Sequence, residues 1–185
     1  KEEIISMDNN AIYGNIICSY GLSDAIEAGY LTDYKIIAPL INEESYKTMT
    51  KQNKYINVKT NKLQMRFLMT AYLIIKAFEE HNKITHMLSF STYNNDALEL
   101  SKILESTKQN IDVFVLSGKD SMRKRHKVIK EFNKSPRAII CSAKIFTEGI
   151  NIPIVNSVCF TDNKGSIIDI IQCCGRPLRL YPNKK

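Results

Sequence analysis

Residues Gln172–Arg179, Q-C-C-G-R-P-L-R, place two arginines three positions apart just past a glycine. They follow the apolar, helix-like run Ile167, Ile168, Ile170 and Ile171. A guanidinium stays charged under all ordinary conditions, and its planar fork of N–H donors matches phosphate oxygens. Two forks a turn apart can reach different oxygens of one polyphosphate, or hold it and stabilise its transfer. The same pair also suits a plain helix end, where cations complement the macrodipole. The segments upstream bear on which it is.

Those segments alternate regularly. A long helix is expected over residues 62–81, with Leu63, Phe67, Ile74 and Phe78 at near-helical spacing. It is followed by a strand over 84–90 and a helix over 94–106 with Leu98, Ile103 and Leu104 inward. Next come a strand over 112–116, a helix over 121–132, strands over 137–141 and 156–161, and a helix over 166–174. Continuous apolar strands such as V-F-V-L and A-I-I-C, alternating with helices, argue for an α/β fold whose mainly parallel sheet is covered on both faces. Before residue 36 the pattern is mixed. Ser23 can cap a short helix, Asp24–Ala28, that Gly29 stops, and Tyr34–Ile41 reads as a strand. Residues 42–61 are polar and read as a loop or a short exposed helix. Two pieces are therefore expected: a junction over 1–35 and a domain over 36–185.

In a parallel sheet, ligands sit at the carboxyl ends of the strands. The loops there are S-T-Y-N-N after Phe90, S-G-K-D-S after Leu116 and S-A-K-I-F-T-E-G-I-N-I-P after Cys141. Each offers hydroxyls, glycine or lysine, the groups that hold a phosphate backbone without reading its sequence. One such loop is ordinary turn chemistry. Three on one edge, together with the double arginine, indicate a phosphate-directed edge.

Composition sets outer bounds. With 185 residues and 44% hydrophobic content, the chain can bury one core. Its net charge of +7 favours a polyanionic partner, although lysine-rich faces are often only solvated ones. No apolar run is long enough to span a bilayer, and no signal peptide is visible, so an intracellular, cytoplasmic or nuclear, location without membrane attachment is expected. The chain starts at Lys1 rather than Met and reads as a piece of a longer protein. Of the five cysteines, most lie in apolar runs and read as small hydrophobes, while Cys173 and Cys174 are expected to be partly exposed. There is no C-x-x-C, and His81, His86 and His126 lack ligand-like spacing to the cysteines, so no metal site is expected.

Taken in order, these segments resemble the second RecA-like domain of a superfamily 2 helicase. M-L-S-F-S-T resembles motif IV, A-I-I-C-S-A-K-I-F-T-E-G-I-N-I-P resembles motif V, and Q-C-C-G-R-P-L-R resembles motif VI. L-S-G-K-D-S-M-R-K-R-H-K-V-I-K-E-F resembles the segment between motifs IV and V. Y-G-L-S-D-A-I-E-A-G-Y-L-T-D-Y-K-I looks like the junction between the two motor domains. The likeness covers most of the chain from Tyr13 onward. It leans toward a DEAD/DEAH-like or restriction-helicase-like branch and toward a viral source.

The resemblance implies a RecA-like three-layer sandwich acting with ATP and Mg2+, which are bound mainly by the first RecA-like domain. Arg179 would be the arginine finger, Arg176 its companion, and Gln172 a group that positions water or phosphates. Gly149 and Asn151 would lie against the nucleotide. Thr92, Gly118, Lys119, Ser142 and Lys144 would follow a single- or double-stranded nucleic acid, DNA or RNA. Asn151 stands where the family usually has Asp, and Ala143 where it often has Thr. No G-x-x-x-x-G-K-[ST] and no acidic box is present, and Gly118–Lys119 is not a phosphate loop because no glycine precedes it at the needed spacing. Alone, the chain is expected not to turn over ATP. The alternative from the residues themselves is a basic, non-catalytic α/β domain that clamps a phosphate backbone.

Overall fold

In the computed structural model, residues 9–39, 62–143, 152–163 and 165–182 are described. Four parallel strands form one sheet: β1 (His86–Ser91), β2 (Asp112–Leu116), β3 (Ala138–Ala143) and β4 (Ser157–Phe160). Their spatial order is β2-β3-β1-β4. Among the described residues six helices accompany them: α1 (Asn10–Tyr13), α2 (Leu22–Glu27), α3 (Lys62–Glu80), α4 (Asn94–Ser106), α5 (Met122–Phe132) and α6 (Ile167–Cys174).

Two apolar layers sandwich the sheet. On one face Phe67, Ala71, Ile74 and Phe78 of α3 and Ala97, Leu100 and Leu104 of α4 pack against Met87, Ile139 and Cys141. On the other, Phe132 of α5 and Cys173 of α6 join Leu88, Phe90, Leu116, Ile140, Ile152 and Val155. This is the expected α/β three-layer arrangement. Every residue of β1 and β3 is buried, as a central strand of a doubly covered parallel sheet requires. Phe78, Phe90 and Phe132 are fully enclosed, so truncating any one to Ala should cost about 3–5 kcal/mol.

Local chemistry sets the helix ends. The Ser121 hydroxyl accepts the Lys124 N–H to open α5, and the Ser166 hydroxyl accepts the Asp169 N–H to open α6. His86, buried in β1, bonds through Nε2 to the Phe132 carbonyl at 3.1 Å and through Nδ1 to the Thr85 hydroxyl at 3.0 Å. A carbonyl only accepts, so Nε2 carries a proton. Burial lowers the His86 pKa, and the backbone carbonyl contacts offset this only in part.

Several expectations need correction. Leu98 is exposed; the inward stripe of α4 is Ala97, Leu100, Ser101 and Leu104, one position out of phase with it. The N-cap of α2 is Gly21, whose N–H is accepted by the Asp24 carboxylate at 2.8 Å, rather than Ser23. Gly29, at φ +74°, does end this segment, as a left-handed residue should. Residues 34–39 form no strand, and no strand among the described residues pairs with them; Tyr34, Ile36 and Ile37 are exposed. Cys173 is buried rather than partly exposed, while Cys174 is half-buried. The side chain of Leu63, residues 40–41 of the expected strand and the polar stretch 42–61 lie outside the described residues.

Candidate functional site

Because the strands are parallel, their carboxyl ends share one edge. Thr92 follows β1, Ser117–Lys119 follow β2, and Thr161–Asp162 follow β4. Thr92 and Gly118 are separated by β3, a gap of two strand spacings or roughly 10 Å. Lys144, Gly149 and Asn151 lie outside the described residues. Ser142 does not reach the edge surface. It sits within β3 between Phe90 and Leu116, fully buried, and its hydroxyl has no hydrogen-bond partner among the described residues. Contact with a nucleic acid through Ser142 would first require this hydroxyl to be uncovered.

The turn after β2 is stapled from within. Asp120 accepts the Ser117 N–H at 2.6 Å and the Lys124 ammonium at 2.6 Å. Burial would raise its pKa, but these donors and the nearby Arg125 charge hold it below the usual carboxylate range. Arg125 donates to the Gly118 carbonyl at 2.8 Å. Nothing lies within 4 Å of where a Gly118 side chain would start, so a ligand can approach the backbone there. Lys119 is exposed beside it. Of the basic residues of α5, Lys124, Arg125 and Lys127 already have local partners in Asp120, the Gly118 carbonyl and Glu131.

At the other end of the edge lies a group that sequence reasoning did not single out. Asp162 accepts the Thr92 backbone N–H at 2.8 Å and pairs with Arg66 of α3. Arg66 also reaches Asp96 of α4 at 3.1 Å. The Thr161 hydroxyl lies 3.1 Å from the Phe90 carbonyl and 3.0 Å from the Ser91 hydroxyl. Burial would push the Asp162 carboxyl up; the Thr92 N–H and the Arg66 charge outweigh it and hold it below its ordinary value. The Thr92 amide is thus already engaged, and this network sets the position of Thr92. The available signal was an acid directly after the apolar strand V-C-F-T-D and a lone arginine within the apolar helix α3.

The double arginine lies in the turn after α6. Cys173 and Leu178, both buried, anchor its two ends. The Gly175 N–H donates to the Ile171 carbonyl at 2.8 Å, the Arg176 N–H to Cys173 at 3.3 Å, and the Arg179 N–H to Arg176 at 3.4 Å. Arg176 is half-buried, while Gln172 and Arg179 are exposed. Burial lowers the Arg176 pKa, and the Arg179 charge lowers it further. The two guanidinium groups are therefore close enough for their charges to interact, and the inner one is partly buried. From the far end of the sequence, Leu31 forms an antiparallel bridge with Arg179, and Thr32 bonds to the Leu178 carbonyl.

Comparison with known proteins bears on the family and the fold. Residues 64–181 match the helicase conserved C-terminal domain. The chain belongs to this family. It is 28% identical over 183 residues to "Probable helicase A859L" of African swine fever virus (isolate Tick/South Africa/Pretoriuskop Pr4/1996), covering 97% of this chain. The protein of the same name from isolate Pig/Kenya/KEN-50/1950 is 29% identical over 189 residues. The chain spans about a fifth of the length of these curated relatives (20%).

Among solved structures, the ATP-dependent Type ISP restriction-modification enzyme LlaBIII bound to DNA superposes with a TM-score of 0.80. The match is 21% identical and covers 97% of this helicase C-terminal domain and 13% of that chain. A putative HsdR subunit of a type I restriction enzyme from Vibrio vulnificus YJ016 gives a TM-score of 0.65 at 16% identity, covering 97% of this chain and 36% of that one. At these identities the likeness concerns the fold, a RecA-like helicase domain. Among the described residues no helix is long and apolar enough to cross a membrane, and no three or more His, Cys, Asp or Glu side chains group to hold a metal.

Proposed function

We propose that this helicase C-terminal domain is the second half of a two-domain ATP-dependent motor that moves along nucleic acid. In this reading Arg179 acts as the arginine finger, and Arg176 and Gln172 act beside it. The observation that carries the reading is the turn after α6. Its buried ends, Cys173 and Leu178, flank two arginines three residues apart, the inner one half-buried and the outer one exposed.

The arrangement fits a polyphosphate. Arg176 and Arg179 are the groups that would hold ATP from this side, Gln172 is exposed within the same segment, and Gly149 and Asn151 would complete the contact. Bound ATP and Mg2+ supply the phosphoryl group to be transferred and the metal that neutralises its oxygens. The phosphate cradle and the metal ligands are assigned to the first RecA-like domain, since this chain carries neither a P-loop nor an acidic box. Arg179 would stabilise charge building on the terminal phosphate oxygens, while Arg176 would hold the nucleotide and set the spacing of its neighbour.

The carboxyl edge of the sheet is assigned to the nucleic acid. Thr92 is set in place at this edge by Asp162, and the Gly118–Lys119 turn, held by Asp120 and Arg125, presents backbone and cationic groups. Lys144 is assigned to the same path. Such contacts recognise phosphates and not bases, so binding should be indifferent to sequence and sensitive to salt. One structural neighbour, LlaBIII, was solved bound to DNA, which supports a nucleic-acid substrate.

The test is ATP turnover by the protein carrying both RecA-like domains, with and without single strands of several unrelated sequences. Stimulation by all of them, declining as salt rises, is expected. Turnover indifferent to nucleic acid would remove the motor reading. Binding without any ATP turnover would favour a passive backbone clamp.

A further inference from the structure

The turn that carries Arg179 is not held by its own helix alone. Its first half continues from α6, where the Gly175 N–H donates to Ile171 at 2.8 Å. Its last internal bond, from the Arg179 N–H to the Arg176 carbonyl, is long at 3.4 Å. Beyond that point a segment 146 residues away in sequence takes over. Thr32 donates twice to the Leu178 carbonyl, from its backbone N–H at 2.8 Å and from its hydroxyl at 3.1 Å. Leu31 forms the antiparallel bridge to Arg179 itself.

The approach of Leu31 and Thr32 is built with equal care. α2 is followed by Gly29 at φ +74°, and the N–H groups of Tyr30 and Leu31 both return to the Ala25 carbonyl, at 2.9 and 3.2 Å. Ala25 is buried. The helix end is thus hooked closed, and it delivers Leu31 and Thr32 to the turn in an extended conformation. Pairing on the backbone of Leu178 and Arg179 fixes the dihedrals that aim the Arg179 Cα–Cβ bond. A long side chain with several free torsions depends on that aim to reach one point in space.

We propose that Thr32 is a positioning residue for Arg179: by gripping the Leu178 carbonyl it sets the direction from which the guanidinium reaches the transferred phosphate. The inference rests on the reading of Arg179 as the finger. It adds that residues 31–32, within the segment resembling the junction between motor domains, carry that finger with them. Movement of the junction is thereby movement of the finger.

The experiment uses the protein carrying both RecA-like domains. Thr32→Val keeps the volume and the N–H bond and removes the hydroxyl bond. Turnover at saturating ATP should fall about three- to tenfold, the change expected for one neutral hydrogen bond, with KM for ATP unchanged. Thr32→Ser, which keeps both donors, should restore normal turnover. In an Arg179→Ala background, Thr32→Val should have no further effect, because there is no finger left to aim.

Two outcomes overturn the inference while leaving the finger in place. One is unchanged turnover in Thr32→Val alongside a large loss in Arg179→Ala. The other is an equal loss from Thr32→Val with and without Arg179, the behaviour of a merely structural residue. Failure of Thr32→Ser to restore turnover also counts against it, and this variant keeps the test decisive should Thr32→Val fold poorly. Near-normal turnover in Arg179→Ala alone would instead overturn the reading on which the inference rests.

Discussion

Arg176, half-buried at the end of α6, shares its turn with the exposed Arg179, and both its burial and that neighbouring charge disfavour its charged form. An anion lying across both groups would favour the charged form of each. Arg176→Ala should therefore weaken ATP binding by about 10- to 100-fold, the effect of losing a charge-assisted hydrogen bond, as read from KM or direct titration. A variant with unchanged KM and lost kcat would assign the transition-state role to Arg176 instead.

The Asp162 network should matter more through Thr92 than through Arg66. Asp162→Ala leaves the half-buried Thr92 N–H without its acceptor and should cost about 2–3 kcal/mol in urea unfolding. Arg66 is 40% exposed in its side chain, so Arg66→Met should cost about 1 kcal/mol or less. The reverse order would show that the ion pair, not the amide bond, holds this corner.

His86 gives the fold a specific acid sensitivity. Its folded pKa lies below its ordinary value of 6.5, so the unfolded chain binds the extra proton first. The stability it contributes is fully present above pH 6.5 and is lost as pH falls toward the depressed folded value, with a slope of at most about 1.4 kcal/mol per pH unit. Asp120 and Asp162, whose pKa values are also lowered, contribute stability that is lost only below about 3.8, so the two ranges separate. Melting temperatures between pH 4 and 8 should bend near pH 6.5, and His86→Gln should remove much of that bend. A bend unchanged by the substitution would point to another group.

The thiols should divide by burial. Cys141 and Cys159 are pushed up to about 12 and about 11 by desolvation, and Cys173 is fully packed. Alkylation of the native protein at pH 8, followed by mass spectrometry, should modify exposed Cys18 first and half-buried Cys159 and Cys174 slowly, with Cys141 and Cys173 protected until unfolding. Rapid modification of Cys141 would contradict the packing of β3.

How much of this was legible in the sequence follows from the range of the interactions concerned. The bounds of α4 and β2 coincide with the expected ones because they depend on local periodicity and nearby turn residues. The inward face of α4 was misjudged because Leu98 is more apolar than Ala97, yet the small residues Ala97 and Ser101 face inward beside Leu100 and Leu104. The run Tyr34–Ile37 is apolar enough for a strand, but strand formation needs a partner that composition cannot supply. Ser142 reads as a loop hydroxyl, whereas β3 extends to Ala143 and encloses it. The bonds from Asp162 to Thr92 and Arg66, and from Thr32 to Leu178, join positions 70 to 146 residues apart, and no periodicity encodes them. The arginine turn itself was legible as a motif because Gln172, Arg176 and Arg179 are neighbours in sequence.

The central claim is that Arg179 acts on the phosphate being transferred. Steady-state ATP turnover of Arg179→Ala, in the protein carrying both RecA-like domains and with melting measured alongside, tests it most directly. The account predicts a kcat lower by about 10³-fold or more, little change in ATP binding, and poor rescue by Arg179→Lys, since an ammonium cannot reproduce the fork. A helix-end cation would instead cost about 0.3–1 kcal/mol of stability and leave turnover per folded molecule intact, and that result would contradict the account.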